Sequence, residues 1–227
     1  MESFINIHTH HIPTHDVDVW TNVNLQQDAN TFLQPNSLDR NKGKTTFSVG
    51  IHPWYLDAEN YLHQIDKVSL LLKEANCIAI GEAGLDKGIE TNWELQKEVF
   101  IRQIELSEQH NLPMILHSVK SFHEIIQIKQ QLKPQMPWIF HGFNHRKSFY
   151  DLLVQNGCVI SIGTAILNPK SILNTYISAI DLNSIFLETD DSTISIKSVY
   201  DQIKFLKSIE LESLISILQN NFNKTFR

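Results

Sequence analysis

The chain has 227 residues, 42% hydrophobic and 19% charged, a globular composition that excludes disorder, collagen and disulfide-scaffold classes. Nineteen Lys and Arg against 25 Asp and Glu leave a net charge of −6. That speaks against a protein living on broad, phosphate-driven nucleic-acid binding, but not against a nucleic-acid enzyme whose positive charge comes from bound metal. In chain order, a strand is expected over residues 4–10 and a second over 17–23, only about six residues later. That gap is too short for a crossover helix, so a shortened helix is placed in the following loop, 24–45. A strand over 46–52 leads to a helix over 57–75, then a strand over 77–84. The helix over 92–110 has the clearest pattern: Thr91 and Glu94 sit at capping-box spacing, and Leu95, Val99, Ile101, Ile104 and Leu106 form an apolar stripe. Strands over 113–118, 138–142, 158–163 and 184–190 then alternate with helices over 121–132, 146–156 and 169–180. Helical patterns over 195–207 and 210–222 close the chain. Eight strands alternating with helices predict an α/β fold, a (β/α)8 TIM-type barrel with abbreviated first βα units, in one domain over 1–227.

The N-terminus lacks a signal-peptide pattern, and no apolar run approaches membrane-spanning length. Cys77 and Cys158 read as buried free thiols of a reducing compartment. A cytoplasmic protein is expected, without membrane contact or an obligate protein partner.

The strongest local chemical signal is His8-Thr9-His10. Residues two apart on a strand share a face, so both imidazoles can grip one ion, with Ile5 and Ile7 turned to the helices outside. Position carries the case further. Glu82, His117, His141 and Asp190 each close an apolar strand run, and in a parallel barrel all strand C-termini gather on one face, where active sites are built. Packing alone does not account for six such residues on five strands; the competing reading is a set of structural histidines held by hydrogen bonds. Four imidazoles and two carboxylates without thiolate suit Zn, Mn, Fe or Co and partly Mg. Six ligands exceed one catalytic zinc and match two divalent cations sharing a bridging carboxylate, an arrangement suited to phosphoryl displacement. His52, Lys120 and Arg146 are candidate substrate-binding residues on the same face, and Lys87 and Lys147 follow the same strand ends. His11, His15, His63, His110, His123 and His145 read as non-ligands, and Trp54, Trp93 and Trp138 as core or rim packing.

The segments Ile7-His8-Thr9-His10, Val49-Gly50-Ile51-His52-Pro53, Gly81-Glu82-Ala83-Gly84-Leu85-Asp86, Ile115-Leu116-His117-Ser118, His141-Gly142-Phe143 and Leu187-Glu188-Thr189-Asp190 resemble the TatD-like metal-dependent deoxyribonucleases of the amidohydrolase superfamily. They occur in family order from residue 7 to 190. The resemblance implies that His8, His10 and Asp190 hold one ion with Glu82, and that Glu82 bridges to a second held by His117 and His141. It implies hydrolysis of a phosphodiester, DNA in the family, by metal-activated water in the presence of Mg, Mn or Zn, with Asp190 accepting the proton. The chain departs from the family pattern at Asn6, where an Asp is usual, at Lys87, and at Asp191-Ser192 after the last motif. The metal set is untouched by these changes, whereas the pocket loops differ. Two alternatives stand beside the nuclease: a binuclear hydrolase of a small cyclic amide, lactone or phosphoester, and a non-catalytic barrel scaffold.

Overall fold

The computed structural model describes residues 3–12, 18–26, 28, 31–35, 38 and 45–226. Eight parallel strands follow one another around a sheet in chain order: β1 Phe4–Thr9, β2 Val19–Asn24, β3 Thr45–Val49, β4 Cys77–Asp86, β5 Met114–Val119, β6 Trp138–Phe140, β7 Val159–Ile162 and β8 Ile185–Leu187. The helices α1 Tyr61–Leu71, α2 Trp93–His110, α3 Phe122–Leu132 and α4 Lys147–Gln155 alternate with β3 to β7, and α5 Ile196–Lys207 and α6 Leu211–Phe226 follow β8. The TIM-type barrel expected from the alternation is therefore present. The short helix expected within 24–45 and the strand start at Val17 fall largely outside the described residues.

Sheet closure between β8 and β1 is local. It consists of the parallel bridge Thr9↔Asp190, with Asp190 N donating to His8 O at 3.1 Å and His10 N to Asp190 O at 3.2 Å. Lower in the seam a side chain does the work of a strand. The buried Tyr200 hydroxyl of α5 accepts from Ile5 N at 3.0 Å and donates to Ile5 O at 3.2 Å. Tyr200→Phe strands both backbone groups away from water, so the expected loss is about 2–4 kcal/mol of unfolding free energy. It should be read as a lower denaturant midpoint at unchanged slope.

Two strands carry an extra residue where chemistry-bearing side chains leave them. β1 shifts register on β2 between Asn6 and Thr9, and β4 shifts on β5 between Ile80 and Ala83. Such bulges re-aim the side chains that follow. This corrects the expectation that Ile5 and Ile7 face outward. Both pack with Ala79, Ile115, Ile139 and Phe186 from four other strands, and Phe222 of α6 closes that cluster. The bulge then lets His8 face the same interior despite its odd spacing from Ile5 and Ile7. On β4 the same device turns both Ala79 and Glu82 inward.

Three further expectations are corrected. The α2 cap is Asn92, whose Oδ1 accepts from Leu95 N at 3.0 Å, and not Thr91; Glu94 supplies charge in the first turn. The helix expected over 57–75 is only Tyr61–Leu71. Residues 169–180 form 3-10 turns instead of an α-helix. Side chains there divert the backbone bonds: Thr175 Oγ1 donates to Ile172 O, Asn174 Nδ2 to Asn168 O, and Lys207 Nζ to the carbonyls of Ser178 and Ile180. Cys77 and Cys158 are buried and free, and no described helix is long and apolar enough to cross a membrane.

Candidate metal centre

The strand ends bring all six sequence-predicted ligand residues to one place, and Glu82 is its middle. The carboxylate is 3% exposed and each of its oxygens faces a different set of imidazoles. Oε2 lies 3.0 Å from His10 Nε2 and 3.3 Å from His8 Nε2. Oε1 lies 2.7 Å from His141 Nε2, 3.5 Å from His52 Nε2 and 3.7 Å from His117 Nδ1. Asp190 joins the first set, its Oδ1 3.5 Å from both His8 Nε2 and His10 Nε2. Asp190 holds φ 53°, a left-handed conformation that costs an L-residue energy and is tolerated best by Asp and Asn.

Several residues outside the expected set fix this arrangement. Asp86, 2% exposed, accepts from His117 Nε2 at 3.1 Å, which leaves Nδ1 as the lone pair turned towards Glu82. The buried Glu188 lies 3.5 Å from His141 Nδ1 and accepts from Gly142 N at 2.6 Å. Asn24 Nδ2 donates to Glu82 Oε2 at 3.3 Å. Both carboxylates were visible in sequence as the second acidic residues of the Glu82 and Asp190 motifs, but apolar periodicity marks only where a strand ends, not which polar neighbour supports another.

His52 does something else. Its Nδ1 accepts from Trp54 N at 3.0 Å, so in the neutral ring the proton sits on Nε2, the nitrogen that faces Glu82. Burial pushes its pKa down to about 3, which keeps the ring neutral. His52 therefore presents an N–H donor to the site. For His8, burial lowers the pKa but the adjoining Glu82 and Asp190 carboxylates outweigh it and raise it to about 9. His141 is also raised, with Glu82 and Glu188 overcoming burial. Burial works to raise Glu82, yet His141 and His8 hold it well below the usual carboxylate range.

The residues fit divalent metal. Glu82, Asp190, Asp86 and Glu188 crowd the imidazoles with negative charge, and the raised histidines register the positive charge this cluster calls for. Nε2 of the fully buried His8 sits between two carboxylates with hydrogen-bond geometry to neither, and His8 Nδ1 and His141 Nδ1 are likewise without a hydrogen-bond partner. Ligand atoms of His8, His10, Glu82 and Asp190 all lie within 4.8 Å of one another. An imidazole and carboxylate donor set without sulfur suits Zn, Mn and related ions.

A cavity of about 130 Å³ opens onto the centre, lined by His10, His52, Glu82, His117, His141 and Asp190, with Trp54, Tyr55 and Asp191 also contributing. Lys120 and Arg146, expected to bind substrate, are not among its lining residues. Both side chains are exposed at the starts of α3 and α4, beyond the strand ends that converge. Lys87 pairs with Glu124 and Lys147 with Asp151 at 2.7 Å. His11 contacts the Asp191 carbonyl at 2.9 Å, His63, His110 and His123 ride on helices, and His145 sits among Phe122, Phe143 and Phe149. His15 lies outside the described residues.

Known proteins resemble this chain in sequence and in fold. The chain is 29% identical over 168 residues to YjjV of Escherichia coli K12, an uncharacterized metal-dependent hydrolase, covering 72% of this chain and 64% of that protein. It is 30% identical over 167 residues to human deoxyribonuclease TATDN3, covering 66% of this chain and 60% of that one. The aligned stretch thus spans less than two thirds of either relative. The crystal structure of YjjV superposes with a TM-score of 0.83 over 98% of this chain and 97% of that one at 23% identity, a likeness of fold. The family model for TatD related DNase matches residues 13–227, from just after the His8–His10 pair to the C-terminus. With that match over most of its length, the chain belongs to the TatD-related DNase family.

Proposed function

We propose that the protein is a metal-dependent phosphodiesterase acting on DNA. The observation that carries it is the division of labour at Glu82, with one oxygen toward His8 and His10 and the other toward His141 and His117. His8, His10, Asp190 and Glu82 would hold one divalent cation, and Glu82, His117 and His141 a second. Bound there, such ions supply charge neutralisation at a phosphoryl group and a lowered pKa for water. Asp190, whose side chain is 40% exposed beside the imidazoles, takes the proton of the attacking water. His52 Nε2–H donates to a non-bridging phosphoryl oxygen, a donor aimed where charge develops. Asp86 fixes His117 against rotation, and Glu188 places negative charge beside His141. The name of the human relative and the family model support the DNA substrate.

Stripping the protein with a chelator should abolish cleavage of single- and double-stranded DNA, and returning Mg, Mn or Zn should restore it. Metal at ~100 times its Kd should also raise the melting temperature by about 5–10 °C. The cavity favours a second reading, hydrolysis of a small ester or amide: it is small, and among the described residues Asp191, not Lys or Arg, joins its lining. Turnover of small esters by protein that leaves DNA intact with all three metals would select that reading.

A further inference from the structure

Trp54 combines exposure with rigidity. It is 59% exposed, whereas Trp138 is fully buried. Exposure alone means little for one apolar residue. What sets Trp54 apart is how it is held. Its Nε1–H donates to Asp86 Oδ2 at 2.6 Å, and Asp86 is itself anchored by the backbone N of Gly88 at 2.6 Å. Its backbone N donates to His52 Nδ1, and Pro53 starts the 3-10 turn that carries it. The indole stands roughly perpendicular to His52 and His117, with ring centroids 5.2 and 5.9 Å away. A wide ring is thus fixed beside the centre with much of its surface open to solvent.

The cavity needs such a neighbour. At about 130 Å³ it is far below the ~300–1,000 Å³ that encloses a drug-sized ligand, so it admits the reacting group and leaves the rest of a substrate outside. Among the described residues no Lys or Arg lines it; Lys87 and Lys147 are engaged by Glu124 and Asp151, and Lys120 and Arg146 stand outside it. The pinned ring offers affinity beside the reacting group.

We infer that Trp54, anchored by Asp86, is the stacking platform for a nucleobase adjoining the scissile phosphodiester, so that the protein recognises a short or terminal stretch one ring at a time. The inference rests on the phosphodiesterase proposed above and names its substrate class. Base stacking on an aromatic ring predicts that the metal-loaded enzyme has a KM for a thymidine dinucleotide about 5- to 150-fold below that for its counterpart with one base removed. Trp54→Ala, at an exposed position, should bring that ratio near one, and Trp54→Phe should keep part of it. Binding is read separately by indole fluorescence. Deoxyadenosine 5′-monophosphate should quench the wild type saturably and W54F far less, and deoxyribose 5-phosphate should quench neither. A wild-type KM ratio retained in W54A, or equal quenching in W54F, overturns the platform. Quenching at Trp54 with neither dinucleotide cleaved upholds the platform while the phosphodiesterase reading fails.

Discussion

Replacing Glu82 with Gln is expected to cut hydrolysis by ~10³-fold or more and to weaken metal binding in both ligand sets. The argument is one of position and charge. Among the described residues, Glu82 alone has a carboxylate within 4 Å of all five of His8, His10, His52, His117 and His141, and it is 3% exposed. Glutamine keeps the shape but removes the negative charge and puts an amide N–H₂ where one carboxylate oxygen stood among these imidazoles. Neither set then retains its shared anion. His117→Ala should behave differently: it touches only the Oε1 side, so one ion is lost and the other remains. Elemental analysis of the purified variants separates the two cases. E82Q protein that keeps the wild-type metal content and cleavage rate would remove Glu82 from the centre of the mechanism.

How much of this was legible in the sequence follows from what hydrophobic patterning encodes. Glu82, His117, His141 and Asp190 stood out because a polar group at the end of an apolar run has nowhere to go but the mouth of a barrel, and all four are there. The alternation of strand and helix likewise predicted the barrel. The bulges were invisible. A period-two pattern assumes unbroken pairing and so turns Ile5 and Ile7 outward opposite His8, whereas one extra residue in β1 brings all three inward. The span 169–180 has helical apolar spacing, but its Asn and Thr side chains and the distant Lys207 capture carbonyls that a helix would need. The Asn and Thr captures are local but leave the apolar spacing unchanged, and the Lys207 contacts lie 27 and 29 residues away, outside any local window. Trp54 shows the same limit from the other side: composition marks it as apolar, and only the 2.6 Å bond to Asp86 shows a ring held at the rim.

Gly84→Ala should destabilise the fold by about 3–5 kcal/mol and disturb His117 in particular. Gly84 pairs with His117 across β4 and β5, and a Cβ at that position would lie 2.0 Å from the His117 carbonyl oxygen and 2.9 Å from its carbonyl carbon. Its φ of 149° adds a backbone conformation that L-residues rarely adopt. The obstacle is main chain, which no rotamer change relieves, so β5 must retreat from β4 at the residue that offers Nδ1 to Glu82. Gly157→Ala is the matched control: its φ is 68°, but nothing lies within 4 Å of the added carbon, so only the conformational penalty of about 1 kcal/mol applies. Urea unfolding of both variants gives the difference. Metal stoichiometry then shows whether the G84A loss reaches the centre, with binding weakened on the His117 side of Glu82 and preserved on the His8–His10 side. Equal stability of the two variants would mean that β4 and β5 can separate at Gly84 without cost, and the close approach would then have no part in positioning His117.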